Sequence, residues 1–202
     1  MSGRQTTPER QYRMAARAQA TQANGERILA AAQELFAEQL YDQVSCDDVA
    51  AQAGVTVRTV MRRFGSKQQL FGAVAEERAL TIRSSRREAP VGDVPGAVRN
   101  LVGSYEEWGD IVLHMLAQER RIAAVGEAVR AGRRYQQAWV TRVFSPLLGD
   151  LPPLVQRRRL AQLRTVTDIY AWKVLRRDLG LGRAEVELAL RELISDIVAR
   201  GT

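Results

Sequence analysis

Between Val55 and Lys67 the chain carries four basic residues, Arg58, Arg62, Arg63 and Lys67, and no acid. The stretch before it, Glu26 to Asp48, has the opposite balance, six acids against one arginine. Positive charge gathered in so short a segment marks a contact surface for a polyanion. Arg58 can bond bidentately to a guanine edge, while Val57, Thr59 and Met61 can touch thymine methyl groups. Arg63, Lys67 and the hydroxyls of Thr56 and Ser66 suit phosphate oxygens, which fix position rather than sequence. Other chemistries lack the residue types. One histidine, His114, and one cysteine, Cys46, complete neither a metal site nor a nucleophile–base pair. No enzyme activity, cofactor or metal is therefore expected.

These side chains must be held by short helices. Ile28, Ala32, Leu35 and Phe36 fall on one stripe of an amphipathic helix that starts near Gly25 and ends near Gln39. Ser45 precedes Cys46-Asp47-Asp48-Val49, an N-cap followed by acids in the first turn, where the helix dipole favours them. Gly54 stops this second helix at Ala53, and Thr56 caps a third, Val57 to Phe64. Two short helices joined at Gly54-Val55 are the sequence form of a helix-turn-helix, the glycine permitting a bend that a Cβ would obstruct. The second helix of the pair then exposes Val57, Arg58, Thr59, Met61 and Arg62, and a helix fits the major groove of B-DNA. Cys46, at a helix N-terminus, reads as a small packing residue.

The rest of the chain is consistent with an all-α protein. Ala, Leu, Arg, Glu and Gln dominate, all strong helix formers, and the 46% apolar content is too rich for a disordered chain. The formal net charge is +7. Residues 1–22, with Arg4, Arg10, Arg13 and Arg17, read as a flexible basic arm. A fourth helix, capped by Ser66, runs from Lys67 to about Arg87. A Pro/Gly linker spans Glu88 to Pro95. Long helices are expected after it, including Arg120 to Leu148, an unbroken Leu154 to Leu179, and a last one from about Arg183 to Ala199. The single cysteine and the lack of a signal-peptide core or spanning segment point to the cytoplasm, with no membrane partner.

The run Arg27-Ile28-Leu29-Ala30-Ala31-Ala32, Leu35-Phe36-Ala37-Glu38 and Tyr41-Asp42 resembles the first helix of tetracycline-repressor (TetR) family regulators. Ser45, Val49-Ala50, Ala53-Gly54-Val55-Thr56, Thr59-Val60 and Arg63-Phe64-Gly65-Ser66-Lys67-Gln68-Gln69-Leu70 continue the likeness without a gap. It covers about Arg27 to Val74. Two positions depart from the pattern: Leu40 stands where glycine is usual, and Met61 where an aromatic ring is usual. The resemblance implies a three-helix helix-turn-helix domain followed by a larger C-terminal helical bundle. We assign an arm over 1–22, a DNA-binding domain over 23–70, and an effector-binding and dimerisation domain over 71–202. DNA contacts are expected from Ser45, Thr56, Val57, Arg58, Thr59, Met61, Arg62, Arg63 and Lys67.

The same resemblance implies a homodimer, joined through the last two helices, that binds double-stranded DNA at a palindromic operator. A small-molecule effector, unidentified by sequence, would release it. A DNA-binding activator, or an architectural protein without an effector, shares the same reader domain, and a helical-bundle enzyme is the remaining alternative. For the effector, the candidates are Tyr105, Trp108, His114, Trp139, Thr165, Asp168 and Trp172, since pockets in helical bundles combine large apolar walls with a few polar groups. Structural core is the ordinary role for each of these aromatics. Asp168 and Trp172, at i and i+4, fit a pocket or a dimer seam equally well. Arg157-Arg158-Arg159 reads as a solvated rim.

Overall fold

The computed structural model describes residues 8–199, and every regular element among them is helical. Helix α1 spans Pro8–Glu38, α2 Cys46–Ala53, α3 Val57–Phe64 and α4 Lys67–Arg87. Then come α5 (Val94–Gln118), α6 (Ala123–Phe144), α7 (Pro153–Val166), α8 (Ile169–Lys173) and α9 (Arg183–Ala199). The chain divides between Ala75 and Glu76 into two compact units, with α4 contributing to both. No described helix is long and apolar enough to cross a membrane.

In the first unit the expected stripe is buried: Ile28, Ala32 and Phe36 face inward with Val44, Val49, Ala53, Val60 and Leu70. Phe36 stacks on Tyr41 at 5.7 Å, and Phe71 meets both rings edge-on at 5.1 and 5.3 Å. Such ring pairs add about 0.5–1.5 kcal/mol each beyond area burial. The first helix begins far earlier than its apolar stripe. Residues 8–22, read as arm, continue α1 upstream, because Ala, Gln, Arg and Glu sustain a helix by propensity. Ala15, Ala16, Arg17 and residues 19–23 are exposed. Arg4 and the side chains of Arg10 and Arg13 lie outside the described residues. Leu40 has φ −63° and ψ 145°, so extended backbone follows α1 and no glycine is required there.

The second unit has a core of Val98, Leu101, Val102, Trp139, Val143, Phe144, Leu163, Trp172, Val186, Leu190 and Ile194. Its linker is pinned by Gly92 N–H to Val143 O at 2.9 Å, and Asp93 caps α5 by accepting from Gly96 N–H at 3.1 Å. Pro146 lies in the short 3-10 turn Ser145–Leu147 that ends α6. The helix expected to run unbroken from Leu154 to Leu179 is interrupted. Thr167 and Asp168 leave helical backbone, and the Asp168 carboxylate caps the next helix by accepting from Tyr170 N–H at 3.0 Å. Asp and Thr compete for backbone donors and acceptors in this way, which lowers their fitness for a helix interior. After Lys173 the chain widens into a π turn, Val174–Asp178. Arg159, read as a rim residue, is buried, while Arg157 and Arg158 are exposed.

Gly109 marks a close approach of α5 and α8: a Cβ there would stand 2.6 Å from Cζ3 of the buried Trp172. Gly132, on α6, has nothing within 4 Å of the same position. Gly109→Ala should therefore destabilise by about 1–3 kcal/mol through overpacking. Gly132→Ala should stabilise by about 0.5–1 kcal/mol through helix propensity. Urea unfolding of the two variants beside the parent checks both signs.

Candidate nucleic-acid interface

The reader is assembled from caps and one tight turn. Ser45 Oγ accepts from Asp48 N–H at 3.1 Å, and Asp48 accepts in return from Ser45 N–H at 2.8 Å and from its hydroxyl at 2.6 Å. These bonds hold the exposed Asp48 carboxyl below the usual carboxylate range. They also occupy the Ser45 hydroxyl as both donor and acceptor, so Ser45 serves to start α2 rather than standing free for a phosphate. Gly54 ends α2 at φ 64°, ψ 39°, a left-handed conformation that other residues enter at a cost, and Thr56 then starts α3 by accepting from Thr59 N–H at 3.3 Å. The two threonine hydroxyls lie 3.0 Å apart.

On α3 the side chains separate by face. Val60 is 1% exposed, and Val57 and Phe64 flank it, partly covered. Arg58, Met61 and Arg62 share the opposite, exposed face, with Met61 42% accessible. Thr59 and Arg63 border that face, and Thr56 is exposed at its N-terminal end. The structure thus brings Thr56, Arg58, Thr59, Met61, Arg62 and Arg63 to one surface and turns Val57 toward its edge. An exposed thioether replaces the ring usual at position 61, keeping apolar contact without a flat face. Arg63 also lies along α1: a Cβ at Gly25 would stand 3.2 Å from its Nε, which accounts for a buried glycine inside a helix.

Lys67 is placed differently from the other basic residues. Its ammonium donates to Tyr41 O at 3.0 Å and Val44 O at 2.9 Å, and lies 4.4 Å above the Tyr41 ring. It ties the start of α4 to the loop between α1 and α2. Burial, with Asp42 and Cys46 nearby, raises the Tyr41 phenol above its ordinary pKa. A signal for this role existed in sequence, a lysine at the first position of a helix that follows a tight turn, but only the fold brings residue 41 to it. Sequence reasoning also omitted Arg27, an exposed guanidinium 4.0 Å from the Cβ position of Gly54 and thus beside the turn.

The effector candidates scatter in the second unit. Tyr105, Trp139 and Trp172 are core residues whose polar ends are bonded: Tyr105 Oη donates to Thr167 O at 2.9 Å, Trp139 Nε1 to Arg86 O at 3.0 Å, and Trp172 Nε1 to Glu106 at 3.0 Å. Burial pushes the Tyr105 phenol up to about 12. Trp108 and His114 are half-buried on α5. Thr165 and Asp168 instead line an open groove of about 680 Å³ with Ala161, Tyr170, Val174 and Leu193.

Two short helices crossing at a left-handed glycine, with a basic and otherwise acid-free outer face on the second, define a helix-turn-helix DNA-binding protein. Residues 28–74 match the family described as bacterial regulatory proteins, tetR family. Over those residues the chain carries the helix-turn-helix domain of that family of DNA-binding transcriptional regulators. A transcriptional regulator from Rhodococcus sp. Rha1 is 18% identical with a TM-score of 0.68, the match covering 87% of this chain and 96% of the other. A protein described as a tetR-family regulator from Mesorhizobium loti is 17% identical with a TM-score of 0.64, over 89% and 97%. A TetR-like regulator from Rhodococcus sp. RHA1 is 18% identical with a TM-score of 0.64, over 87% and 96%. At such identities the likeness is one of fold. Comparison with curated proteins by sequence gives no match.

Lys67→Ala removes a charged donor from two carbonyls and should cost about 1–2 kcal/mol of stability. Denaturant unfolding measures this directly; an unchanged midpoint would return Lys67 to the DNA-facing set.

Proposed function

We propose that the protein is a repressor that binds a palindromic operator as a homodimer in the cytoplasm and leaves it when a small molecule enters the second unit. The observation that carries the DNA reading is the face of α3 on which Arg58, Met61 and Arg62 stand together, opposite the buried Val60. Arg58, one residue into the helix, is at the end that meets base edges in such readers, and Arg63 at its border suits the phosphate backbone. Two recognition helices about 34–36 Å apart would meet successive turns of the same groove.

Support for self-association comes from apolar residues left uncovered on the late helices. Tyr170, Val174, Leu179, Leu188 and Leu193 are 47–64% exposed. Tyr170, Val174 and Leu193 line one groove, and large apolar side chains gathered on one surface mark an interaction site. Leu163, Leu190 and Ile194 of the late helices are buried within the chain's own core. The proposed seam uses Leu193, with the groove residues Thr165 and Asp168 beside it, and the exposed Leu188 of the same helix. An effector that favours dimers with misplaced recognition helices weakens DNA binding by linkage, and α4, which is continuous from Lys67 to Arg87, is the proposed transmission element.

Arg58→Ala should weaken operator binding by about 1–3 kcal/mol and relax preference at one base position, read by gel shift over a set of single-base operator variants. The pair Leu188→Glu and Leu193→Glu should yield a folded monomer in sedimentation and abolish cooperative binding to the full palindrome. A parent protein that is monomeric at micromolar concentration would end the dimer reading. Loss of promoter output, rather than gain, on deleting the gene would mark an activator.

A further inference from the structure

Arg86, in the last turn of α4, is 4% exposed, and neither its Nε nor its Nη2 reaches an acceptor in the protein. Its guanidinium lies 4.5 Å from the Trp139 ring centre, 5.6 Å from that of Tyr105 and 5.9 Å from that of Tyr135. The groups that shape its ionisation are burial, which lowers its pKa, and the phenols of Tyr105 and Tyr135, with no carboxylate among them. A guanidinium withdrawn from water is unfavourable unless an anion or a full set of acceptors meets it.

The same unit shows what meets this edge of an arginine elsewhere. Arg177 donates Nε–H to Asp110 Oδ1 at 3.1 Å and Nη2–H to Oδ2 at 2.8 Å, a two-bond fork on one carboxylate. Arg176 and Arg183 pair through Nε with Glu106 and Glu187, and Arg133 through Nη1 and Nη2 with Glu119. In Arg86 it is again Nε and Nη2, the two donors on one side of the plane, that are unmatched. Two further buried donors without partners lie along α4 and α5: Arg78 Nη1, eight residues before Arg86, and Trp108 Nε1, whose ring the Arg78 guanidinium faces at 5.0 Å. Eight helical residues place Arg78 about 12 Å from Arg86 along the axis. This part of the second unit thus combines excess donors, positive charge and aromatic walls.

We propose that the second unit binds an organic monocarboxylate with an apolar body, its two oxygens seated on Nε and Nη2 of Arg86 between Tyr105, Tyr135 and Trp139. The body extends toward Trp108 and Arg78, whose free donors take any polar group at its far end. Tyr135 is the wall that yields on entry, since it is half-buried and its hydroxyl donates only at 3.3 Å to Arg83 O. A single planar fork fits the two oxygens of a carboxylate, and inorganic phosphate, which the same fork can also meet, is the competing outcome of the test. As the chemical class of the effector, this assignment rests on the effector reading above.

The test uses the full-length protein and its three tryptophans, Trp108, Trp139 and Trp172, all in the second unit. Benzoate, phenylacetate, octanoate and decanoate are titrated by fluorescence against the matching carboxamides and inorganic phosphate, and each is then added to the operator complex. At least one carboxylate should bind saturably, about tenfold or more tighter than its amide, since a charge-assisted fork is lost in the amide. Arg86→Gln should remove that preference. Should the variant fail to fold, the acid-against-amide comparison on the parent decides the matter alone. Amides binding as well as acids, phosphate displacing them, or no carboxylate binding below millimolar would overturn the proposal. Neutral amides that release the operator while acids do not would leave the effector reading standing without the anion. A carboxylate that binds with the operator complex intact would keep the anion site and remove the effector reading.

Discussion

Val60 has to be covered for the surface on the other side of α3 to exist. It is 1% exposed, against α2 residues that are small or β-branched: Val49, Ala50 and Ala53, all buried. Small side chains let two helix backbones cross closely, and the bend between them is permitted because Gly54 takes a positive φ. With residue 60 committed to the interior, a rotation of about 100° per residue puts 58, 61 and 62 outward without further choice. A bulkier residue at 50 or 53 would tilt α3, and its basic face with it. The caps at Ser45 and Thr56 and the Lys67 ammonium on the carbonyls of Tyr41 and Val44 hold the ends of the same arrangement.

The second unit is organised on another principle. Three of its large aromatic rings are inside, and the polar end of each is bonded to a main-chain or side-chain acceptor: Tyr105 to Thr167 O, Trp139 to Arg86 O, Trp172 to Glu106. Buried N–H and O–H groups are costly when unmade, so these bonds fix where the helices cross. Glu106, which burial pushes up, is nonetheless held below its ordinary range by hydrogen bonds from Arg176 and Trp172. Against these bonds the buried donors Arg86 Nε and Nη2, Arg78 Nη1 and Trp108 Nε1 lack partners, and these lie on α4 and α5.

The break at Thr167-Asp168 shows why late helices are harder to read than early ones. Leu160, Leu163, Val166, Ile169, Tyr170 and Val174 keep helical spacing across it, and periodicity alone runs straight through. Two side-chain bonds decide otherwise, Thr167 Oγ1 to Leu163 O at 2.7 Å and Tyr170 N–H to Asp168 at 3.0 Å. The early start of α1 is the converse case, where propensity without an apolar stripe was enough for a helix and gave no packing signal to find it by. Gly25, Arg63 and Lys67 could be seen as residue types, but not as partners of positions far along the chain.

Short-range chemistry was therefore decided by local sequence: the caps at Ser45, Thr56 and Ser66, the stops at Gly54 and Gly65, and the limits of α2 and α3 each depend on atoms a few residues apart. The outer face of α3 was legible for the same reason, since one buried valine and helical rotation suffice. Tertiary structure alone decided which aromatics became core, that Thr165 and Asp168 face an open groove, that Lys67 turns inward, and that Arg86 is buried without a carboxylate. Those outcomes depend on which helices meet, and the free energy of a buried ring or charge is set by neighbours that linear spacing does not identify.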